Sequence, residues 1–115
     1  MSEIPPTGEN TKIQDLAMEI IAFAGDGHAE SLRAIDEEFA ENSVESINLL
    51  EKAHGNIERA HKAQTKLLQM EAKGEEITPS LLMVHAQNHL MNSILINELS
   101  EKMIQMYRKL KEREV

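Results

Sequence analysis

Apolar residues recur at steps of three and four along three long stretches of this sequence, and that recurrence limits what the chain can fold into. The spacing places them on one face of an α-helix, so it predicts helices over residues 12–40, 43–73 and 79–112. Aromatic residues make up only 3% of the 115 residues, which disfavours an all-β sandwich. We therefore expect an all-α fold, an antiparallel three-helix bundle. The predicted seam positions are Ile13, Leu16, Ile20, Ala24, Leu32, Ile35 and Phe39 in the first helix, Ile47, Leu50, His54, Ile57, His61, Gln64 and Leu68 in the second, and Leu81, His85, Asn88, Asn92, Leu95, Leu99, Met103, Met106 and Leu110 in the third.

Capping signals mark the predicted helix boundaries. Thr11 and Asn42 each precede a Gln or Glu by three residues, which is the spacing of a capping box. Gly74 is expected to end the second helix, and Thr78 followed by Pro79 is expected to begin the third.

Two segments depart from the helical pattern. Across Gly25-Asp26-Gly27 the apolar stripe continues nearly in phase, so a single bent helix is favoured over two short ones. Residues 1–11 are polar and lack periodicity, which predicts a disordered N-terminal extension ahead of one domain over residues 12–115. No stretch has the apolar run of a signal peptide or a transmembrane span. We therefore expect a cytoplasmic protein without direct membrane insertion.

Charge and cysteine content exclude several functions. The formal charge is −8, from 20 acidic and 12 basic residues, and such a surface repels a phosphate backbone. We therefore expect no nucleic-acid partner. The chain has no cysteine, which excludes disulfides, thiolate nucleophiles and cysteine-based zinc sites.

The third predicted helix is apolar nearly all round in its middle. A helix that is apolar on more than one side must be covered on more than one side. A symmetric oligomer packed along this helix would cover the second face, so we expect the chain to oligomerise.

The segment from His85 to His89 places two histidines one helical turn apart, and three interpretations remain open. The pair could chelate a metal ion, although the zinc-protease motif needs Glu where Ala86 stands. Polar seam residues could instead fix the register of a coiled coil. A neutral imidazole could also accept a phosphoryl group, with Gln87, His89 and Thr65 as hydrogen-bond donors.

The second helix adds two copies of a Glu-x-x-His pattern, at residues 51–54 and 58–61. Di-iron bundles take such copies from different helices, whereas these lie on one helix about 10 Å apart. The pattern therefore gives little support to a metalloenzyme.

Longer stretches of the sequence resemble a known family. Residues 84–93 (VHAQNHLMNS), preceded by residues 60–65 (AHKAQT) and 22–26 (AFAGD), are similar to the lactose/cellobiose class of IIA components of the bacterial sugar phosphotransferase system. The resemblance extends from residue 13 to residue 111, so it covers nearly the whole predicted domain.

The resemblance implies a cytoplasmic phosphocarrier. Members of this family take a phosphoryl group from the phosphocarrier protein HPr on a histidine and pass it to a cysteine of the IIB component, for uptake and phosphorylation of a β-linked disaccharide. Carried onto this sequence, the acceptor is His85 through Nε2, and His89 and Gln87 help to hold the group. The supporting residues are expected to be Gln64, Thr65 and His61.

The family also implies a homotrimer of nine helices with active sites in clefts between subunits. Asn88 stands where the family usually has an Asp that binds a divalent metal at the trimer axis. Because an amide is a weak ligand, we expect no cofactor and no tightly bound metal there. Ala86 favours a sugar of the cellobiose or diacetylchitobiose type over lactose. The alternative is a trimeric helical interaction or regulatory module without phosphotransfer activity.

Overall fold

Three long helices account for most of residues 8–114, the part of the chain that the computed structural model describes. They are α1 (Gly8–Phe39), α2 (Ser43–Ala72) and α3 (Leu81–Glu112). α1 packs against both other helices, whereas α2 and α3 contact each other least. The described residues contain no strand, and the predicted all-α three-helix bundle is confirmed.

The first helix begins earlier than the sequence pattern predicts. It starts at Gly8, so Thr11 lies inside α1 and is not its N-cap. The reason is local, because the next proline after Pro6 is Pro79, beyond the end of α2, so no proline interrupts the helix from Gly8 onward. Of the predicted disordered extension, residues 8–11 are helical and residues 1–7 lie outside the described residues. α1 continues through Gly25–Gly27, which confirms one helix rather than two.

A left-handed residue closes the turn between α1 and α2. Glu41 has φ of 64°, and the backbone amides of Glu41 and Asn42 donate to the carbonyls of Glu38 and Glu37 at 3.0 and 2.8 Å. This is a Schellman motif formed without glycine. Asn42 is the N-cap residue of α2, as predicted, but its side chain donates to Glu37 Oε2 at 2.9 Å instead of capping α2. The capping box predicted with Glu45 is therefore wrong.

In the connection between α2 and α3, the end of α2 agrees with the prediction and the start of α3 does not. Gly74 has φ of 90° and terminates α2, as predicted. The third helix begins after Ser80, whose Oγ accepts the backbone amide of Met83 at 3.1 Å. Ser80 therefore caps α3, and the start predicted at Thr78 and Pro79 is wrong by two residues.

Small side chains form much of the interior between α1 and α3. Asn97 Nδ2 donates to Ser31 Oγ at 3.1 Å, and Ser31 Oγ donates to the Gly27 carbonyl at 2.7 Å. Two apolar clusters lie on either side of these polar contacts. Their buried residues are Leu16, Ala17, Ile20, Ala24, Ala60, Ala63, Leu67, Met70, Ala86 and Leu90 in one cluster and Ala34, Ile35, Leu49 and Ile104 in the other.

The seams predicted for α2 and α3 do not form the core. No predicted α2 seam residue is buried, and all nine predicted α3 seam residues are exposed. The buried stripes lie one position away because Ala and Ser fill the places where the helices approach closely, which leaves larger apolar side chains outside. In α1 the prediction fails only towards the C-terminus, where Leu32 and Phe39 are exposed. The buried stripes are Ser46, Leu49, Ala53, Ala60, Ala63, Leu67 and Met70 in α2 and Ala86, Leu90, Ser93, Asn97, Ser100 and Ile104 in α3.

Candidate functional site

His85 and His89 lie side by side on the outer surface of the first turns of α3. Because Ala86 and Leu90 occupy the buried stripe, the two histidines are directed away from the core. Their Nε2 atoms are 3.1 Å apart, and their rings meet edge to face at 78° with centroids 4.4 Å apart. His85 is exposed and His89 is half-buried. The pair therefore offers reactive nitrogen atoms that solvent or a partner protein can reach.

The histidine pair borders an open cleft between α1 and α3 with a volume of about 360 Å³. Carboxylates and cationic side chains are absent from its lining within the described part of the chain. The cleft is large enough for a small anionic group and polar enough to hydrogen-bond to it. Its lining residues are Gly25, His28, His85, Asn88, His89 and Asn92.

His28 is the cleft residue that the sequence pattern did not single out. It follows Gly25 by one helical turn on α1, so both residues face the same side. His28 reaches the cleft of His85 and His89 because of the way α1 is aligned along α3. The sequence signal that could have indicated it is the Gly25–Gly27 segment beside it, which the apolar pattern leaves unexplained.

The predicted amide residues form a second contact beside the histidine pair. Gln64 Nε2 of α2 donates to Gln87 Oε1 of α3, and both side chains are half-buried. Gln87 is therefore directed towards α2 and does not line the cleft. Thr65 Oγ1 donates to the carbonyl of His61 on its own helix at 3.0 Å, and His61 is exposed on α2 outside the cleft.

A metal centre built from several side chains is not found in the described residues. No group of three or more His, Asp or Glu side chains converges there. The Glu-x-x-His copies of α2 are directed elsewhere: His54 contacts Glu101 of α3, and Glu58 pairs with Lys62 at 3.4 Å. The weak support that the sequence gave to a metalloenzyme is therefore not strengthened by the fold.

A larger groove between α1 and α2 lies apart from the histidine pair. Its volume is about 580 Å³, and its lining mixes acidic, basic and amide side chains without a histidine. Asn56 Nδ2 donates to Glu30 Oε1 across it at 2.6 Å. This groove offers no imidazole, so the smaller cleft, which the histidine pair borders, is the candidate site.

Comparisons with known proteins identify the family. The family model described as "PTS system, Lactose/Cellobiose specific IIA subunit" matches residues 15–108. The lactose-specific EIIA component of Staphylococcus epidermidis is 41% identical over 98 residues, covering 85% of this chain and 94% of that protein. The lichenan-specific phosphotransferase enzyme IIA component of Bacillus subtilis is 34% identical over 103 residues, covering 90% and 94%.

Solved structures of similar proteins share the fold. The cellobiose-specific enzyme IIA from Bacillus anthracis superposes with a TM-score of 0.84 at 32% identity, covering 92% of this chain and 94% of that one. The IIA(Chitobiose) chain, solved in complex with HPr, gives a TM-score of 0.75 at 27% identity, covering 86% and 96%. None of the described helices combines the length and apolarity that a bilayer crossing requires. The chain belongs to the lactose/cellobiose-specific IIA family, the phosphotransferase phosphocarriers of bacterial sugar uptake.

Proposed function

We propose that this protein accepts a phosphoryl group from phospho-HPr on His85 and passes it to a cysteine of a IIB component in the cytoplasm. The observation that carries the proposal is the accessible imidazole pair at the edge of a polar cleft. HPr as the donor is supported by the solved complex of a related IIA component with HPr. In the first step an N–P bond forms at His85 while the N–P bond to the HPr imidazole breaks and that imidazole leaves with the electron pair. In the second step the thiolate of IIB displaces His85 in the same way.

We propose different tasks for the two histidines. A separation of 3.1 Å between the Nε2 atoms leaves room for one proton and none for a phosphorus atom. The ring of His89 must therefore rotate aside before His85 Nε2 can attack. It can then donate its N–H to a phosphoryl oxygen, because donors aimed at the transferring group stabilise its charge.

Gln87 joins the site only by a change of partner. Its Oε1 accepts from Gln64, which leaves its Nε2 as the group able to donate to a phosphoryl oxygen. Rotation of the side chain towards the cleft would bring that donor closer to His85. Gln64 then acts by holding Gln87 in the unphosphorylated protein. Thr65 and His61 act at most indirectly, since the Thr65 hydroxyl is bonded within α2.

The exposed face of α3 supports a trimer with three helices per subunit. From Leu95 onward its large apolar residues recur at steps of three and four, as in a coiled-coil seam, and each seam residue is at least 40% exposed. We propose that three copies of α3 pack along this seam, which places the neighbouring cleft at a subunit boundary. The seam residues are Leu81, Leu95, Leu99, Met103, Met106 and Leu110.

Asn88 is exposed on the same face and also lines the cleft. Three Asn88 amides at the trimer axis can hydrogen-bond to one another without a cation, so we propose that no cofactor and no tightly bound metal is needed there. Prolonged treatment with EDTA should leave a trimer mass by light scattering. A monomer mass in EDTA that returns to trimer with Mg²⁺ would contradict this assignment.

The sugar is proposed to be a β-linked disaccharide of the cellobiose or diacetylchitobiose type. Relatives named for lactose and for lichenan are both similar to this chain. Ala86 is fully buried in the core, where its identity reflects helix packing more than sugar preference. Transport of each labelled disaccharide in a strain deleted for this gene and complemented with it decides between the classes.

Reconstitution of the relay tests the proposed function. Incubation with phosphoenolpyruvate, enzyme I and HPr should add one phosphoryl mass per chain, labile in acid and stable in alkali. His85→Ala should abolish the label, His89→Ala should retain part of it, and His54→Ala, an exposed histidine outside the cleft, should label fully. Labelling that survives His85→Ala would assign the nucleophile to another histidine. A folded wild-type protein that is never labelled would favour an interaction module without phosphotransfer.

A further inference from the structure

The His85–His89 pair has a geometry that phosphoryl transfer alone does not require. Two nitrogen ligands at the usual zinc distance of about 2.0–2.1 Å, arranged tetrahedrally, are roughly 3.3 Å from each other. The two Nε2 atoms are already 3.1 Å apart in the unphosphorylated protein. We propose that His85 and His89 chelate one Zn²⁺, or a similar late first-row divalent ion, and that the bound ion blocks phosphorylation.

The helix supplies the preorganisation for this chelate. Histidines four residues apart lie one above the other, so both rings reach one ion without any change in the backbone. Since the rings meet edge to face, small side-chain rotations are enough to direct both lone pairs at a common point. A proton shared between the two Nε2 atoms must then move to an Nδ1 atom or to solvent.

The surroundings favour a soft divalent cation over a hard one. Within the described part of the chain, neither Lys nor Arg lines the cleft, so no fixed cation repels the ion. The ion's remaining positions are open to water and to the amide oxygen of Asn92, which lines the same cleft. Imidazole ligands suit Zn²⁺, Cu²⁺ and Ni²⁺, whereas Mg²⁺ and Ca²⁺ prefer oxygen ligands.

Metal binding and phosphoryl transfer compete for the same electrons. The Nε2 lone pair of His85 that would attack phosphorus is the one that would bind the ion, so one nitrogen cannot do both. Two protein ligands hold an ion less firmly than the three or four of resident zinc sites. The ion is therefore an exchangeable inhibitor and not a cofactor. This consequence rests on the proposed function, whereas the chelate itself does not.

Zinc titration of the full chain tests the chelate without reference to phosphotransfer. Calorimetry with ZnCl₂ should show one ion per chain, with the imidazole NMR signals of His85 and His89 shifting together. His85→Ala and His89→Ala should each weaken binding at least about tenfold, since even outer-shell partners of a metal contribute that much. His54→Ala is the matched control, because it removes an exposed histidine that lies outside the cleft and contacts the carboxylate of Glu101. Wild-type affinity in His89→Ala, or saturation by MgCl₂ at the same concentrations, overturns the proposal.

A second measurement separates the chelate from the proposed function. Zinc at its binding concentration should slow labelling of the wild-type chain at least about tenfold, while the residual labelling of His89→Ala should be insensitive to it. Equal inhibition of both proteins would locate the zinc effect on HPr or enzyme I and would overturn the inhibitory role. A chain that binds zinc but is not labelled in its absence would overturn the proposed function and leave the chelate standing. A chain that is labelled normally but does not bind zinc would do the reverse.

Discussion

Two polar clusters lie towards opposite ends of the same three helices, and their hydrogen bonding differs sharply. At one end Glu38, only 2% exposed, accepts from Arg108 Nε and Nη2 at 2.9 and 2.5 Å and from Ser43 Oγ at 2.6 Å. At the other end His85 and His89 have each other as hydrogen-bond partners at the edge of an open cleft. Both oxygens of the Glu38 carboxylate accept hydrogen bonds, whereas the imidazoles of His85 and His89 can still bind an incoming group.

The Glu38 end of the bundle therefore contributes mainly to stability, and the end with the histidine pair carries the proposed chemistry. A buried charge with a full set of partners fixes the turn between α1 and α2 to the C-terminal part of α3. An exposed pair with an incomplete set of partners can exchange its contact for a phosphoryl oxygen or a metal ion. Substitutions at the Glu38 cluster should therefore change stability and leave phosphorylation intact, and substitutions at the histidine pair should do the opposite.

Arg108→Ala should give the largest stability change. It leaves the buried carboxylate of Glu38 without its cation, and breaking a buried pair costs about 3–5 kcal/mol. Because the Arg108 side chain is 42% exposed, we expect a loss of about 3 kcal/mol in the free energy of unfolding, measured by urea unfolding. Lys111 lies on the same helix as Arg108, and Lys111→Ala removes an exposed ion pair with Glu41 of the turn between α1 and α2, so it should change stability much less. Equal losses of unfolding free energy in the two variants would contradict the expected difference between the buried Arg108–Glu38 pair and the exposed Lys111–Glu41 pair.

Two glycines beside the cleft should respond in opposite directions to the same substitution. A Cβ at Gly27 would lie 2.6 Å from Ile57 Cγ1 and 3.3 Å from the Ala53 carbonyl, so Gly27→Ala should destabilise by about 1–3 kcal/mol. A Cβ at Gly25 meets nothing within 4 Å, so Gly25→Ala should gain up to about 1 kcal/mol of helix propensity. Thermal unfolding of both variants gives the comparison. Destabilisation by Gly25→Ala would mean that its side of the cleft is already filled, for example by a neighbouring subunit.

Acid should weaken the Glu38 end of the bundle. Burial raises the pKa of Glu38, but the hydrogen bonds from Ser43 and Arg108 and the charge of Arg108 outweigh it, so the folded-state pKa is below 4.5. A carboxyl whose pKa is depressed on folding contributes stability that is present above its unfolded value. This contribution should be lost as the pH falls from 4.5 through the lower folded-state pKa.

Urea midpoints measured between pH 7 and pH 3 should show this loss. The control is Glu38→Gln, which lacks the titrating group and should flatten part of the profile. An identical pH dependence in wild type and Glu38→Gln would assign the acid sensitivity to other carboxyls, such as Glu41, whose pKa is lowered by hydrogen bonds from Lys111 and Tyr107.

Sequence periodicity predicted the three helices but not which face of each is buried. A search for large apolar side chains selects Leu95 and Leu99, which are exposed, and misses Ser93 and Ser100, which are buried. Hydrophobicity alone cannot distinguish a core seam from an oligomer seam, because both repeat at steps of three and four. The distinction depends on how closely two backbones approach, and that becomes visible only when the helices are packed.

The candidate site was predictable where it depends on one helix. The four-residue spacing of His85 and His89 is enough to bring their nitrogens together. The placement of His28 in the same cleft, and the bond between Gln64 and Gln87, depend on pairs of helices and on their relative register. Local spacing contains no information about either.

The buried Asn97–Ser31 hydrogen bond has a consequence for how the cleft is assembled. Ala and Ser side chains fill much of the contact between α1 and α3, and larger buried residues such as Ile20, Leu90 and Ile104 lie in the apolar clusters on either side. A slip of one turn is about 5.4 Å, which would carry His85 and His89 out of reach of Gly25 and His28. Such a slip would also separate the Asn97 amide from the Ser31 hydroxyl and leave buried polar groups without their hydrogen bond, which opposes it. The alignment of the two walls of the cleft is thus supported by a polar contact five residues beyond Asn92, the last cleft residue of α3.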